Sequence, residues 1–470
     1  MPFTTMWPGI ATPGSAKARF ASSPRPNWPT DSLIDEIRLI SWKWLGRGTM
    51  PRMARKLLAS ASLVLFGVFL AFGVLEVAVR VMGKAPPTGE PAFFWQEDAR
   101  FGWFHTPGAE GYYFNPPGEY HAYAKVNSAG LMDREYSVEK PEGVYRILVL
   151  GDSFAEGLRV PMDTAFHSIL EEELNAAGKR VEVINAGVAG WGTDQQLLFY
   201  REIGRKYAPD MVLLAFFPGN DVMNNAIGLE AANFGGVKKP YFLLEDGKLV
   251  LRNQPVGSEP GPVDIVATPA PAPDPIPERP RLAFLRPILA HSAFYRYFVP
   301  RLRVLAPRFA LKLAQWGLIE PGGETSDARQ GPDYIPLAYG VYKTPLDDPW
   351  LAAWRITEAL LAELKREVEV DGAELRVVVI PAQPQVEPAA WQHILQTYPA
   401  MQAHTWDLDQ PNRMLADILR RQRTPYLDLL PIFRAWDGPT LFFPIDGHWN
   451  ERGHRLAGQA LFDWLQADIP

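Results

Sequence analysis

Residues 144–153 read VYRILVLGDS, an apolar run with one interruption that stops at a glycine and hands over to an aspartate and a serine. A continuous run of this kind predicts a strand buried on both faces, as in a parallel sheet. The same signature returns outward along the chain in VEVIN (181–185), DMVLLAFF (210–217), LRVVVI (375–380) and PYLDLL (425–430). Between these runs the apolar spacing becomes helical, over about 164–177 (closed by Gly178), Asp194–Tyr207, 349–370, 411–422 and Glu451–Leu465, the last with Asn450 as its N-cap. Five short apolar strands separated by helices predict an α/β chain with right-handed crossovers and a doubly wound, five-stranded parallel sheet. In such a sheet the chemistry sits at the carboxyl ends of the strands.

Two regions depart from the alternation. Residues 83–140 are aromatic and irregular and read as a lead-in of short strands and turns packed on the sheet domain. The insertion 228–348 carries a predicted hairpin, PYFLLEDGKLVL, with Asp246-Gly247 at its turn. Nine prolines come next between Pro255 and Pro280, then a helical stretch rich in Arg, Phe and Tyr, LAFLRPILAHSAFYRYFVPRLR. Such an insertion is a lid, a partner surface or a tolerated surface excursion, and the sequence leaves these open.

The composition narrows the function. The chain of 470 residues has 47 basic and 53 acidic side chains, a balance that argues against a dedicated nucleic-acid binder. It has no cysteine, which excludes disulfides, thiolate nucleophiles, iron–sulfur clusters and cysteine-ligated zinc. No His/Asp/Glu grouping has metal-ligand spacing beyond Asp446 and His448, which disfavours a metal-dependent enzyme, and no cofactor is expected.

Leu57–Leu75 is uncharged, and at 1.5 Å per residue it spans roughly 28 Å, about one hydrocarbon core. Residues 57–82 are therefore expected to form a transmembrane anchor. Arg47, Arg52, Arg55 and Lys56 precede it, which predicts a cytoplasmic tail over 1–56, disordered, with everything beyond about residue 83 on the extracytoplasmic side. A cleaved signal peptide fits less well, because the run is long and lacks a small-x-small site after it.

Four stretches at the predicted strand ends could carry chemistry. Ser153, in Gly151-Asp152-Ser153, sits in a glycine-flanked turn that would expose a nucleophile yet hold it rigidly, with its own N–H aimed at an oxyanion. Ordinary strand-to-helix turns look the same. Gly190, in Asn185-Ala186-Gly187-Val188-Ala189-Gly190-Trp191-Gly192, could supply a second N–H donor, or belong to an unremarkable βα loop. Asn220 could donate a third hydrogen bond through its amide, while Asp221 could equally cap a helix. Asp446 and His448 precede the last helix, where a carboxylate could orient the imidazole through Nδ1 and leave Nε2 for a serine. His454, inside that helix, reads as packing or capping.

Taken in order, GDSF with Ser153, NAGVAGWG with Gly190, GND with Asn220 and DGHW with His448 resemble the four blocks of the SGNH (GDSL-type) hydrolase superfamily. The resemblance covers about 141–227 and 349–468, within a hydrolase-like domain over 141–470. The stretch Val126–Leu131 with Asp133-Arg134-Glu135 is similar to the lead-in of membrane-anchored bacterial members. The resemblance implies a flavodoxin-like sheet and an acyl-serine mechanism: Ser153 as nucleophile, His448 as its base, and an oxyanion hole from Ser153, Gly190 and Asn220. It further implies an esterase acting on O-acyl groups of an envelope or exported glycan, alongside partner proteins of polysaccharide assembly. An O-acyltransferase using the same residues and a catalytically silent glycan-binding subunit are the alternatives. One departure matters. The superfamily usually spaces its acid and base as Asp-x-x-His, whereas this chain has Asp-x-His, as in relatives that acetylate polysaccharides. Asp446, a displaced carboxylate or a backbone carbonyl could therefore orient the base.

Overall fold

A computed structural model describes residues 52–84, 92–115, 117–234, 236–259, 281–319 and 333–470. Most of the expected tail and most of the proline-rich run lie outside them. The chain divides into two compact units, one within Trp7–Lys84 and one holding Ala85–Pro470.

In the first, Arg52–Val81 is a single helix of 30 residues. Its stretch Ser62–Val81 has a mean hydropathy of 2.4, long and apolar enough to cross a bilayer. Leu63, Phe66, Phe69 and Leu70 are all exposed on it. The charged pair that interrupts the run, Glu76 and Arg80, closes on itself one turn apart at 2.6 Å.

The second unit is built on the expected sheet. Its strands are β1 (Tyr145–Gly151), β2 (Val181–Gly187), β3 (Met211–Phe216), β4 (Glu374–Val379) and β5 (Tyr426–Asp428), in spatial order β2-β1-β3-β4-β5. All pairings are parallel, and β1 runs in register from Tyr145 opposite Val181 to Gly151 opposite Gly187. Ile147, Leu148, Val149 and Leu150 are wholly buried, as a strand covered on both faces requires. On one face Ile147, Val149, Val183 and Leu213 pack with helices α1 (Phe166–Ala176) and α5 (Glu451–Leu465). Helices α2 (Thr193–Glu202) and α3 (Asp348–Val370) cover the other, and α4 (Gln410–Gln422) leads into β5. The one polar interruption of β1 is satisfied below the sheet. Arg146 is buried, bonded to Glu182 at 2.6 and 2.9 Å and to the carbonyls of Tyr207, Val138 and Ser137.

Several boundaries differ from expectation. The helix read through Tyr207 stops at Glu202 and continues as a 3₁₀ turn, Gly204–Tyr207. There a Cβ on Gly204 would fall 2.9 Å from Leu148, so the chain is pressed onto the sheet. Helices Gln383–Val386 and Pro388–Thr397 come after β4, where no element is read from sequence. Their prolines look like loop punctuation but occupy first-turn positions, where the missing N–H costs nothing.

The lead-in forms two hairpins, Trp95–Asp98 with Gly102–His105 and Glu110–Phe114 with His121–Lys125. Within the insertion, Tyr241–Glu245 and Lys248–Arg252 pair around Asp246 and Gly247, both at positive φ (49° and 76°), the signature of a two-residue turn. This hairpin is no loose excursion. Tyr241 and Phe242 are buried, and Lys239 just before it is fully buried.

Candidate active site

The site begins where β1 ends. Asp152 caps a one-turn helix, Ser153–Glu156, by accepting the Phe154 N–H at 2.9 Å, and so fixes the turn that presents Ser153. That turn lies hard against the neighbouring strand ends. A Cβ on Gly187 would stand 2.4 Å from the Glu156 nitrogen, and one on Gly151 would stand 2.9 Å from the Ala215 carbonyl oxygen. Only glycine permits this approach.

Ser153 Oγ lies 2.7 Å from His448 Nε2, and His448 Nδ1 lies 2.6 Å from Asp446 Oδ1. With Nδ1–H donated to a carboxylate, Nε2 is left to accept the serine proton. The imidazole also stacks on Phe154, ring centroids 4.6 Å apart. The compressed Asp-x-His spacing works because Gly447 is left-handed (φ 82°), which curls the Asp446 carboxylate back onto the ring two residues on. Asn450 then caps α5 by accepting the Arg452 and Gly453 N–H groups.

Asp446 is held from outside the motif. Arg159 Nε donates to its Oδ1 at 2.7 Å and the Tyr120 hydroxyl to its Oδ2 at 3.2 Å. Glu119 accepts the backbone N–H groups of Ile445 (2.6 Å) and Asp446 (2.9 Å), with Asn115 donating to Glu119 in turn. Burial alone would raise the Asp446 carboxyl, but the charges of Arg159 and His448 and the bonds it accepts hold it far below the usual carboxylate range. His448 is shifted down, first by burial and then by Arg159, with Asp446 pulling the other way. Arg159, Tyr120 and Glu119 belong to no motif; nothing near them in sequence marks them.

The other two loops meet the serine turn indirectly. Asn220 is buried in the turn after β3, its amide beside Asp152. Asp221, read as a cap or a structural group, accepts the Phe217 N–H at 2.7 Å and holds that turn closed. Gly190 is left-handed (φ 75°) in the loop after β2, and its carbonyl accepts from the Asn224 amide at 2.7 Å. The adjoining Ala189 N–H donates to Glu156 at 3.1 Å, and the Ala189 carbonyl accepts from Trp103 at 2.9 Å. Glu156 also receives His105 Nε2 (2.7 Å) and Trp95 Nε1 (3.0 Å), so the lead-in clamps the serine turn and the glycine loop together. A second buried cluster ties the insertion to the same loops. Lys239 Nζ reaches Glu230 at 2.6 Å, the Asn224 carbonyl at 2.7 Å and Asp194 at 2.9 Å. His454 accepts the Phe166 N–H at 3.3 Å and stacks on that ring, the packing role read for it.

Residues 349–470, which carry Asp446 and His448, match the family described as SGNH hydrolase-like domain, acetyltransferase AlgX. That match covers about a quarter of the chain, the part that supplies β4, β5 and α5 of the parallel α/β sheet domain. Over 69 residues the chain is 33% identical to an arylesterase of Vibrio mimicus, a match covering 15% of this chain and 34% of that protein. The chain thus spans about a third of the length of the curated relative it matches. Among solved structures, the acetyl xylan esterase AlAXEase is 11% identical with a TM-score of 0.34, covering 68% of this chain and 99% of that one. The lipase/acylhydrolase from Enterococcus faecalis is 11% identical with a TM-score of 0.33, covering 69% and 97%.

Proposed function

We propose that this chain is a serine esterase or acyltransferase that works through an acyl-serine intermediate. The observation that carries the reading is the unbroken hydrogen-bonded series Ser153–His448–Asp446 at the carboxyl end of the sheet. In this mechanism Ser153 Oγ attacks an ester carbonyl and its proton passes to His448 Nε2. The oxyanion is met by the N–H groups of Ser153 and Gly190 and by the Asn220 amide. Collapse breaks the ester C–O bond, and the leaving alcohol takes the proton from His448. Water, or a second hydroxyl, then attacks the acyl-serine, returns a proton through His448 and frees the serine. Asp446 holds the tautomer and stabilises the transient imidazolium.

The substrate we infer is a small acyl group, O-acetyl above all, on an envelope or exported glycan. The apolar helix over 57–82 would anchor the enzyme in the cytoplasmic membrane, and the preceding cluster of basic residues favours an extracytoplasmic catalytic domain. Transfer to a glycan hydroxyl, alongside partner proteins of polysaccharide assembly, is the second reading. It is favoured by the family match over 349–470, whose description names an acetyltransferase. The test is release of p-nitrophenol from acetyl to octanoyl esters by the full chain in detergent, with Ser153→Ala beside it. Serine-dependent release falling with acyl length supports a small-acyl enzyme. Release appearing only when an acetylatable oligosaccharide is added supports transfer. Release unchanged in Ser153→Ala overturns both.

A further inference from the structure

The stretch 281–319 is cationic throughout. It holds six arginines and a lysine and no aspartate or glutamate, in a protein whose net charge is −6. Its two main helices, Ala293–Leu305 and Pro307–Trp316, pack on each other through a small core of Val299, Leu302, Ala310, Ala314 and Ile319. That core leaves large apolar side chains outside it. Phe284, Ile288, Phe298, Leu305, Phe309 and Trp316 are between 42% and 73% exposed. They keep helical spacing: Phe284 and Ile288 are one turn apart, Phe298 and Leu305 two turns, and Phe309 and Trp316 two turns. Phe294 continues the second stripe by stacking on Phe298 at 5.3 Å. Exposed aromatic and aliphatic stripes on cationic helices are the composition of a segment that lies in a membrane interface.

We propose that residues 281–319 dock on an anionic lipid surface, with these apolar stripes entering the headgroup region and the cations meeting lipid phosphates. The proposal extends the membrane-anchored reading. A hydrated anionic glycan would meet the exposed cations Arg281 and Lys312 but leave Ile288, Leu305 and Phe309 facing water, which makes lipid the better occupant. Docking would also bear on the site. Arg301 lies over the Tyr297 ring at 3.6 Å and donates to the Pro117 carbonyl at 2.9 Å, two residues ahead of Glu119, which holds the Asp446 backbone.

The cysteine-free chain accepts a single probe. The full-length Leu305→Cys protein, labelled with an environment-sensitive dye, is incorporated into nanodiscs carrying a lipid-borne quencher, either phosphatidylglycerol-rich or phosphatidylcholine alone. Val370→Cys, equally exposed on α3, serves as reference, and Leu70→Cys reports the anchor. Strong quenching at residue 305 in anionic discs, weak in neutral discs and weak at residue 370, is the expected result. Reversing the exposed charges Arg281 and Lys312 (R281E, K312E) should weaken docking about fivefold per charge removed at physiological ionic strength. Quenching at residue 70 without quenching at 305 overturns the surface and leaves the anchor standing. Quenching at 305 without quenching at 70 supports the surface and overturns the anchor. Shielding of the residue-305 dye that needs no lipid marks a protein contact instead, and overturns the proposal.

Discussion

His448 lies between a carboxylate that favours its charged form and an environment that opposes it. Burial comes first and the Arg159 charge second, and together they outweigh Asp446, so its pKa lies below the ordinary 6.5. In the proposed mechanism acylation needs the neutral imidazole, so the acid limb of kcat/KM against pH should have its midpoint below 6.5. Arg159→Met removes one of the two depressing causes and should move that midpoint upward; a midpoint that stays put would remove Arg159 from this account. Asp446→Asn tests the acid directly. Its Oδ1 is the 2.6 Å partner of Nδ1, so the amide should cost about 10³- to 10⁴-fold in kcat through loss of tautomer control. A loss far smaller than that of His448→Ala would mean another group orients the ring. Asn220→Ala should lower kcat by about 10²- to 10³-fold if the amide meets the oxyanion. An unchanged kcat would leave Asn220 as a partner of Asp152 alone.

At the scale of elements, the serine turn is positioned by what its neighbours lack. Gly187 ends β2 where a methyl group would overlap the Glu156 backbone, not a flexible side chain that could yield. Gly187→Ala should therefore displace the turn and depress kcat strongly while far-ultraviolet circular dichroism stays near wild type. Normal turnover would show that the turn tolerates the shift. Lys239 works differently. It pairs with Asp194 in a fully buried cluster where burial pushes the neighbouring Glu230 carboxyl up to about 8, so at neutral pH Lys239→Met leaves the Asp194 carboxylate without its cation. The expected loss is about 3–5 kcal/mol of unfolding free energy, read by thermal or denaturant melting. The elements themselves were largely legible. The strands announced themselves because burial on both faces forces continuous apolar runs, and the Asp246-Gly247 turn because a two-residue hairpin needs positive φ at both positions. Helices Gln383–Val386 and Pro388–Thr397 were not, because a first-turn proline and a loop proline look alike without their neighbours.

Across the whole molecule, what could be read depended on sequence distance. The serine turn sits in its own motif, whereas the Asp-x-His spacing leaves the orienting group open, and only the left-handed turn at Gly447 closes Asp446 onto His448. Arg159 and Tyr120 reach Asp446 across 287 and 326 residues, and only the folded sheet brings them there. The same holds for the buried carboxyls, whose cost appears only once the chain is folded. Asp152 is fully buried, and that burial pushes its carboxyl up to about 7 despite the Phe154 N–H, the Asn220 amide and Arg159. Asp133 is raised to about 7 for the same first reason. A carboxyl raised on folding binds a proton in the native state that the unfolded chain has already released above its ordinary value of 3.8. Its contribution to stability is therefore intact at low pH and is lost as pH rises from about 4 towards 7. His167 and His454, lowered to about 4 and about 3 by burial, act in the opposite sense up to about 6.5, so the wild-type curve alone mixes the two effects. Asp152→Asn separates them. It keeps an oxygen for the Phe154 N–H and removes the charge, so whatever pH-independent offset the lost second oxygen brings, its melting temperature relative to wild type should be higher at pH 8 than at pH 5. A difference independent of pH, or one that shrinks towards pH 8, would mean that the Asp152 carboxylate is stabilised where it lies.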